Sequence, residues 1–162
     1  MCSSDLLQRM EVAPAREAAT RARQCADGAS ERERSHVHAL ALAIEGQPVA
    51  SLAATHEHLA RWPRDAMVLA PATGVFGLYG FSGRPQREQE LFAMLEALAP
   101  RYGDDWWFDL VHAFAACETG RLEQARHLIE RSLAVQPCSG HGAHVRAHVL
   151  YELHEHRAAL DY

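Results

Sequence analysis

The sequence lacks the long apolar run, the basic excess and the N-terminal leader that direct a chain to a membrane, to nucleic acid or to export. No stretch approaches the roughly 18 consecutive apolar residues of a transmembrane helix. The formal net charge is −5, so the chain offers nucleic acid or an anionic membrane no basic surface. The N-terminus has no positively charged start followed by an apolar segment. We therefore expect neither nucleic acid nor a membrane as a partner.

The sequence has no closely spaced cysteine pair, and it has few β-branched residues. Cys2, Cys25, Cys117 and Cys138 lie far apart, without the C-x-x-C pair of a zinc or redox site. Scattered cysteines without an export signal are typical of a reduced, cytoplasmic protein. Alanine and leucine dominate while Val, Ile and Thr are sparse, and this composition favours helix over strand. An all-α protein of about one domain is predicted.

Glycine and proline recur at a fixed spacing. Each of three glycines is followed 17 residues later by a proline, in the pairs Gly46 and Pro63, Gly83 and Pro100, and Gly120 and Pro137. The glycines are 37 residues apart, and His154 stands 34 residues after the last one. Glycine ends a helix because it adopts positive φ without a Cβ clash, and proline stops the next helix. The spacing predicts helix pairs that turn at Gly46, Gly83, Gly120 and His154, near the tetratricopeptide period of about 34 residues.

Small residues accompany three of the four turns. Seven residues before the turn stand Ala39, Ala113 and Ala147, and five after it stand Ser51, Ala125 and Ala159. In the second unit, Phe76 and Glu88 take these positions. Small side chains at fixed offsets allow two antiparallel helices to approach closely. We predict that paired helices cross at these residues.

The expected fold is a right-handed α-solenoid of antiparallel helix pairs, similar to tetratricopeptide repeats. Helices are predicted at 11–27, 30–45, 47–61, 66–79, 84–99, 105–118, 121–135, 140–153 and 155–162. Ser30 and Glu33 form a capping box, and Asp65 and Asp104 are predicted N-caps.

Two segments are distinguished in the chain. Residues 1–28 are a leading segment that contains the helix of an incomplete unit, and residues 29–162 contain the repeats. We interpret residues 1–6, MCSSDL, as a sequencing artefact. The chain stops at HRAALDY, in the middle of an apolar-periodic segment and without a helix cap. We therefore expect the repeats to be truncated at the C-terminus.

Four segments of the chain resemble the tetratricopeptide repeat protein 38 family, most closely its bacterial members. They are RERSHVHALALAIEG, LARWPRDAMVLAPATGVFGLYGFSGR, HAFAACETGRLEQARHLIERSLAVQP and GHGAHVRAHVLYEL, in the family's order. The family carries histidines at the positions of His36, His144 and His148. Many members have His-Asp where this chain has Thr73 and Gly74, so the resemblance does not extend to that pair. The resemblance implies a helical repeat and no established enzymatic activity.

The last of these segments is rich in histidine. On a helix, His141, His144 and His148 fall within about 60° of one another, beside an apolar stripe that includes Val145 and Val149. The His-x-x-x-His spacing suits zinc, with a third ligand from His141 or, across the groove, from His112. However, Val145 stands where H-E-x-x-H has its glutamate, and the helix has no Cys or carboxylate at ligand spacing. We predict a binding surface without metal or cofactor.

The two closely spaced histidine pairs of the first unit are interpreted chiefly as structural. His36 and His38 are two residues apart, as are His56 and His58, so the members of each pair point to different sides of a helix and cannot form one site. No Ser-His-Asp or Cys-His arrangement follows from the order of residues alone.

Protein interaction is the predicted function. A peptide or protein partner would lie in the concave groove and contact His36, His112, His144, Arg146 and His148. The alternative is a fragment of a helical enzyme, which binds a metal or uses His144 and His148 as acid and base. A third hypothesis is self-association through the repeats.

Overall fold

The computed structural model describes residues 12–160, which fold into α-helices joined by turns and by one longer loop at 73–86. The helices α1 to α9 span Val12–Cys25, Glu31–Ile44, Pro48–Arg61, Ala66–Leu69, Arg87–Tyr102, Trp106–Glu118, Leu122–Val135, Gly140–Glu152 and His156–Leu160. Ala26–Gly28 and Ala70–Ala72 form 3₁₀ turns. No strand occurs within residues 12–160, so the predicted all-α class is confirmed. The predicted artefact at residues 1–6 lies outside the described residues.

The chain divides into two compact units, one ending at Arg84 and the other beginning at Pro85. In the first unit, α1 packs on α2, α2 packs on both α3 and α4, and α3 packs on α4. In the second unit, α6 packs on α5, α7 and α8, α7 also packs on α8, and α8 packs on α9. In each unit one helix therefore contacts the two helices that follow it. This helix is α2 in the first unit and α6 in the second.

Three helices end in the same hydrogen-bonded turn, at positions where turns were predicted. Gly46, Gly120 and His154 have positive φ values of 78°, 74° and 61°. In each turn the N–H of this residue donates to the carbonyl three residues back, and the next N–H donates to the carbonyl five residues before it. These are the two bonds of the Schellman motif, which satisfy carbonyls at a helix end. The glycine and histidine spacing therefore located three helix ends correctly.

The helix predicted at 66–79 is wrong. Helical structure stops after Ala70–Ala72, because Gly74 turns the chain with a φ of 76° and the N–H of Leu78 donates to the Pro71 carbonyl at 2.9 Å. A Cβ atom on Gly77 would collide with the carbonyls of Ala72 and Thr73. A compact glycine loop replaces the helix, and Gly83, with a φ of 67°, lies in this loop rather than at the end of a helix.

Two other boundaries differ from those predicted. Helix α5 begins at Arg87 and continues past Pro100 to Tyr102, before Gly103 with a φ of 62°. Pro100 has no N–H, so the last turn of α5 lacks the hydrogen bond that this group would have made to the carbonyl four residues back. The N-cap of α6 is Asp105 instead of Asp104, since its carboxylate accepts the N–H groups of Trp107 and Phe108 at 3.1 Å and 3.0 Å.

Small residues lie at the predicted helix crossings. In the first unit Ser51 Oγ on α3 donates to the Ala39 carbonyl on α2 at 2.8 Å, and both residues are 1% exposed. In the second unit Ala113 on α6 and Ala125 on α7 are both 0% exposed. A larger side chain at these positions would separate the paired helices. The capping box of Ser30 and Glu33 is also present at the start of α2.

Candidate functional site

A buried histidine forms the centre of a polar cluster in the first unit. His58 on α3 is 0% exposed, and its ring contacts residues from α2 and from the start of α4. We call the cluster the His58 network. Its members are Arg32, Ser35, His36, His58 and Asp65. Trp62 covers the His58 ring, with centroids 4.9 Å apart.

Both ring nitrogens of His58 make hydrogen bonds. Nε2 lies 3.1 Å from Asp65 Oδ2, and Nδ1 lies 2.9 Å from Ser35 Oγ. A carboxylate only accepts hydrogen bonds, so the proton of the neutral ring is on Nε2. Nδ1 then accepts the hydrogen of the Ser35 hydroxyl. The result is an ordered chain from hydroxyl to imidazole to carboxylate.

The carboxylate of Asp65 is surrounded by basic side chains of this network. Arg32 Nε donates to Asp65 Oδ2 at 2.8 Å, and His36 Nδ1 lies 4.0 Å from the same oxygen. Burial disfavours the charged carboxylate, but the hydrogen bonds from Arg32 and His58 outweigh it and hold the pKa of Asp65 below its usual value. Burial also lowers the pKa of His36, although the charge of Asp65 opposes this shift.

Sequence reasoning missed this network, and the side chain of Asp65, which was predicted as an N-cap, bonds Arg32 and His58 instead of the backbone of α4. His38 and His56 are exposed, so the members of each pair do point to different sides. One member of each pair nevertheless meets the other across the helix packing, with the rings of His36 and His58 6.3 Å apart at their centroids. The signal lies in the packing of α2 on α3, which no local spacing encodes.

The second unit carries exposed histidines on α8, which we call the α8 histidine face. His141, His144 and His148 are all exposed, whereas Val145 and Val149 on the other side of the helix are 0% exposed. The rings of His144 and His148 lie 4.7 Å apart at their centroids. The prediction that these two histidines are one turn apart on a helix beside an apolar stripe is therefore confirmed.

An aromatic ring of α6 extends the α8 histidine face. The ring of Phe114 is 6.3 Å from that of His148, in a perpendicular arrangement. Partial desolvation of its ring lowers the pKa of His141 although the residue is exposed, and the charge of His144 adds to the effect, so His141 resists protonation. Neutral imidazoles offer a donor, an acceptor and a ring face each, and these groups suit hydrogen bonding and stacking with a peptide.

The other predicted partner residues occupy different environments. Arg146 on α8 is half-buried, and His36 belongs to the His58 network in the first unit. His112 is 2% exposed and lies between the rings of Phe92 and Phe108, at centroid distances of 5.4 Å and 5.6 Å. The structure does not support the prediction that His112 contacts a partner, because a partner cannot reach a side chain inside the core.

His112 is also poorly satisfied. Its Nε2 lies 3.0 Å from Glu96 Oε1 but out of line, so within the described residues neither ring nitrogen makes a hydrogen bond. Burial lowers the pKa of His112, although Glu96 opposes this shift. The ring is therefore expected to be neutral and to act as a core side chain.

Among the described residues, potential metal ligands are not clustered and the buried thiol of Cys117 is not activated. Among residues 12–160, no group of three or more His, Cys, Asp or Glu side chains is placed to hold a metal ion. Burial, together with Glu118 and Glu152, raises the pKa of Cys117 to about 11, so its thiol is not activated. None of the helices in the described part of the chain has both the length and the apolar character needed to cross a membrane.

Comparison with known proteins gives no assignment. No family model, no curated protein and no solved structure matches the chain. The geometry of the two histidine groups and the packing of the helices are therefore the basis for assigning a function.

Proposed function

We propose that the chain is a helical-repeat protein of the tetratricopeptide type, whose helix pairs stack in a right-handed solenoid and bind a peptide or protein segment. Three Schellman turns at the predicted period support a repeat. The packing of α6 on both α7 and α8 supports stacked pairs, since a repeat array buries each pair against the next. The resemblance to the tetratricopeptide repeat protein 38 family belongs to the same proposal.

The α8 histidine face is the observation that carries the binding proposal. Its valines anchor the helix in the core, so His144 and His148 are held on a fixed backbone while their rings remain exposed. Preorganised polar groups on a rigid helix bind with a smaller entropic cost than groups on a loop. Phe114 adds an apolar ring beside them. A peptide that presents hydrogen-bonding and aromatic side chains would fit this surface.

Selection from a displayed peptide library tests the proposal. The library is panned on the wild-type chain and counter-selected on the His144→Ala, His148→Ala double variant. We expect a defined peptide class that binds the wild-type chain at least about tenfold more tightly than the double variant, equivalent to about 1.4 kcal/mol. His127→Ala is the matched control, because His127 is an exposed histidine on the neighbouring α7.

Three outcomes would count against the proposal. Selection that enriches no peptide class would remove the evidence for a binding surface. Selected peptides that bind the wild-type chain and the double variant equally would place any binding away from the α8 histidine face. A loss of affinity in the His127→Ala control would indicate a general effect of histidine removal.

The metal-dependent enzyme remains a second candidate because His144 and His148 have the one-turn spacing of zinc ligands. Calorimetric titration of the purified protein with zinc separates the two functions. The binding proposal expects no stoichiometric submicromolar zinc binding. Submicromolar binding that disappears in the double variant would overturn the interaction surface in favour of a metalloprotein.

A further inference from the structure

We propose that Ser35 is a nucleophile that accepts the acyl group of an activated ester, with His58 as its general base. The proposal rests on the order of the groups in the His58 network. Ser35 Oγ is 2.9 Å from His58 Nδ1, and His58 Nε2 is 3.1 Å from Asp65 Oδ2. A hydroxyl within hydrogen-bond reach of a base that a third group orients is the arrangement of an activated nucleophile.

The three residues differ in burial, with the serine less buried than the histidine and the aspartate. His58 is 0% exposed and Asp65 is 3% exposed, whereas Ser35 is only half-buried. Ser35 is therefore the least buried of the three residues, and a reagent would have to approach from its side of the network. The base and the carboxylate are shielded from water, so their hydrogen bonds are stronger than they would be at the surface.

The orientation of the imidazole is compatible with base catalysis. Asp65 binds Nε2 and Ser35 binds Nδ1. Either nitrogen of a neutral imidazole can accept a proton once the other is held as N–H. Asp65 acts as a positioning residue, because its carboxylate selects the tautomer that leaves Nδ1 free to accept the serine proton.

The acylation step balances with these groups alone. Ser35 Oγ forms a bond to the ester carbonyl carbon, and the bond from that carbon to the leaving oxygen breaks. The hydroxyl proton passes to His58 Nδ1 and then to the leaving oxygen. Asp65 accepts the Nε2–H throughout and stabilises the imidazolium that forms in between.

Arg32 has two opposing effects on the expected rate of acylation at Ser35. It stands three residues before Ser35 on the same face of α2, so its positive charge would favour an oxyanion that develops near the hydroxyl. Its guanidinium also pairs with Asp65, which weakens the support of that carboxylate for the imidazolium. We therefore expect stoichiometric modification of Ser35 rather than rapid turnover.

A fluorophosphonate probe tests the nucleophile on the wild-type chain. The probe loses fluoride when a serine oxygen attacks phosphorus, and peptide mapping by mass spectrometry identifies the labelled residue. We expect labelling at Ser35 to be about 100-fold faster in the native protein than in urea that unfolds it, the size of a modest general-base effect. Absence of label at Ser35 in the native protein, or equal rates in urea, would overturn the proposal.

Matched variants separate the reaction from a structural role. Ser35→Ala should abolish the label, whereas Ser82→Ala should retain it, since Ser82 is also half-buried but bonds the Tyr79 carbonyl at 2.6 Å. Asp65→Asn should slow labelling at least about tenfold per folded molecule, with folding followed by circular dichroism. A rate unchanged in Asp65→Asn would contradict its positioning role. Because mapping uses the wild-type chain, the central result does not depend on the folding of any variant.

Discussion

The carboxylate of Asp65 joins three elements of the first unit through single hydrogen bonds. Arg32 reaches it from α2 and His58 from α3, while Asp65 itself stands immediately before α4. An ionised group that is 3% exposed is costly unless its partners are in place. The partners here supply a positive charge and an aligned N–H. Individual residues therefore determine how α2, α3 and α4 are held together.

We expect Asp65→Asn to lower the free energy of unfolding by about 2–3 kcal/mol at neutral pH, because Arg32 and His58 lose a charged acceptor. The folded chain holds the pKa of Asp65 below its usual value. Its contribution is therefore complete above the ordinary aspartate pKa of about 4 and is lost as the pH falls through the lowered value. Urea unfolding at a series of pH values measures this contribution.

The difference in stability between wild type and Asp65→Asn should accordingly be constant near neutrality and narrow in acid. Asp27→Asn is the control, since Asp27 is an exposed carboxylate in the same unit. A difference that stays the same down to the lowest pH would mean that the charge of Asp65 does not stabilise the network.

A second prediction concerns the backbone at His154. Within residues 12–160, His154 is the one non-glycine residue with positive φ, at 61°. This conformation costs a residue with a Cβ atom about 1–2 kcal/mol, while glycine loses more entropy on folding. We expect His154→Gly to raise the free energy of unfolding by about 0.5–1 kcal/mol, measured by thermal denaturation. His156→Gly, within α9, should instead destabilise; stabilisation by both changes would contradict the explanation.

At the scale of helices, turns that depend on one residue type could be predicted and the glycine loop could not. Gly46 and Gly120 end helices because glycine adopts positive φ without a Cβ clash, and their spacing then located the turn at His154, which its residue type alone would not have identified. The loop that replaces the predicted helix at 66–79 depends on the bond from Leu78 to Pro71. Apolar spacing does not reveal such a bond.

The two histidine groups also differ in how far the sequence could predict them. His144 and His148 belong to one helix, so their spacing in the sequence fixes their distance. In the His58 network, His58 bonds Asp65, 7 positions later in the sequence, and Ser35, 23 positions earlier, and the three residues belong to three different elements. Its existence depends on the rotation of α2 and α3 about their axes, which a helical pattern leaves open. The burial of His112 likewise depends on how α6 packs between Phe92 and its other neighbours.

Helix pairing itself yields a third prediction. Ala125 on α7 is 0% exposed where α7 meets α6, so Ala125→Leu should force the helices apart and lower the free energy of unfolding by about 1–3 kcal/mol. Ala134→Leu makes the same chemical change at an exposed position of α7 and should be nearly neutral. Chemical denaturation of both variants gives the comparison. Equal stability of the two variants would show that the predicted crossing is not tightly packed.

At the scale of the whole molecule, each compact unit has its own core and its own histidine group. In the first unit, α1 and α2 share a core of Ala15, Ala19, Ala41 and Ile44, and the His58 network joins α2, α3 and α4. In the second unit, Val145 and Val149 are fully buried beneath the α8 histidine face. Separate cores allow separate unfolding, since cooperative units follow contiguous packing.

Hydrogen exchange followed by mass spectrometry tests this separation with the variants already described. Asp65→Asn should raise the exchange of amides in α2 and α3 and leave α6 and α7 protected, because the lost charge acts only inside the first unit. Ala125→Leu should have the opposite effect, since its extra methylenes act between α6 and α7. Uniform acceleration across both units in either variant would show that the chain unfolds as one cooperative body. The paired variants are needed because one variant alone cannot distinguish a weak unit from an independent one.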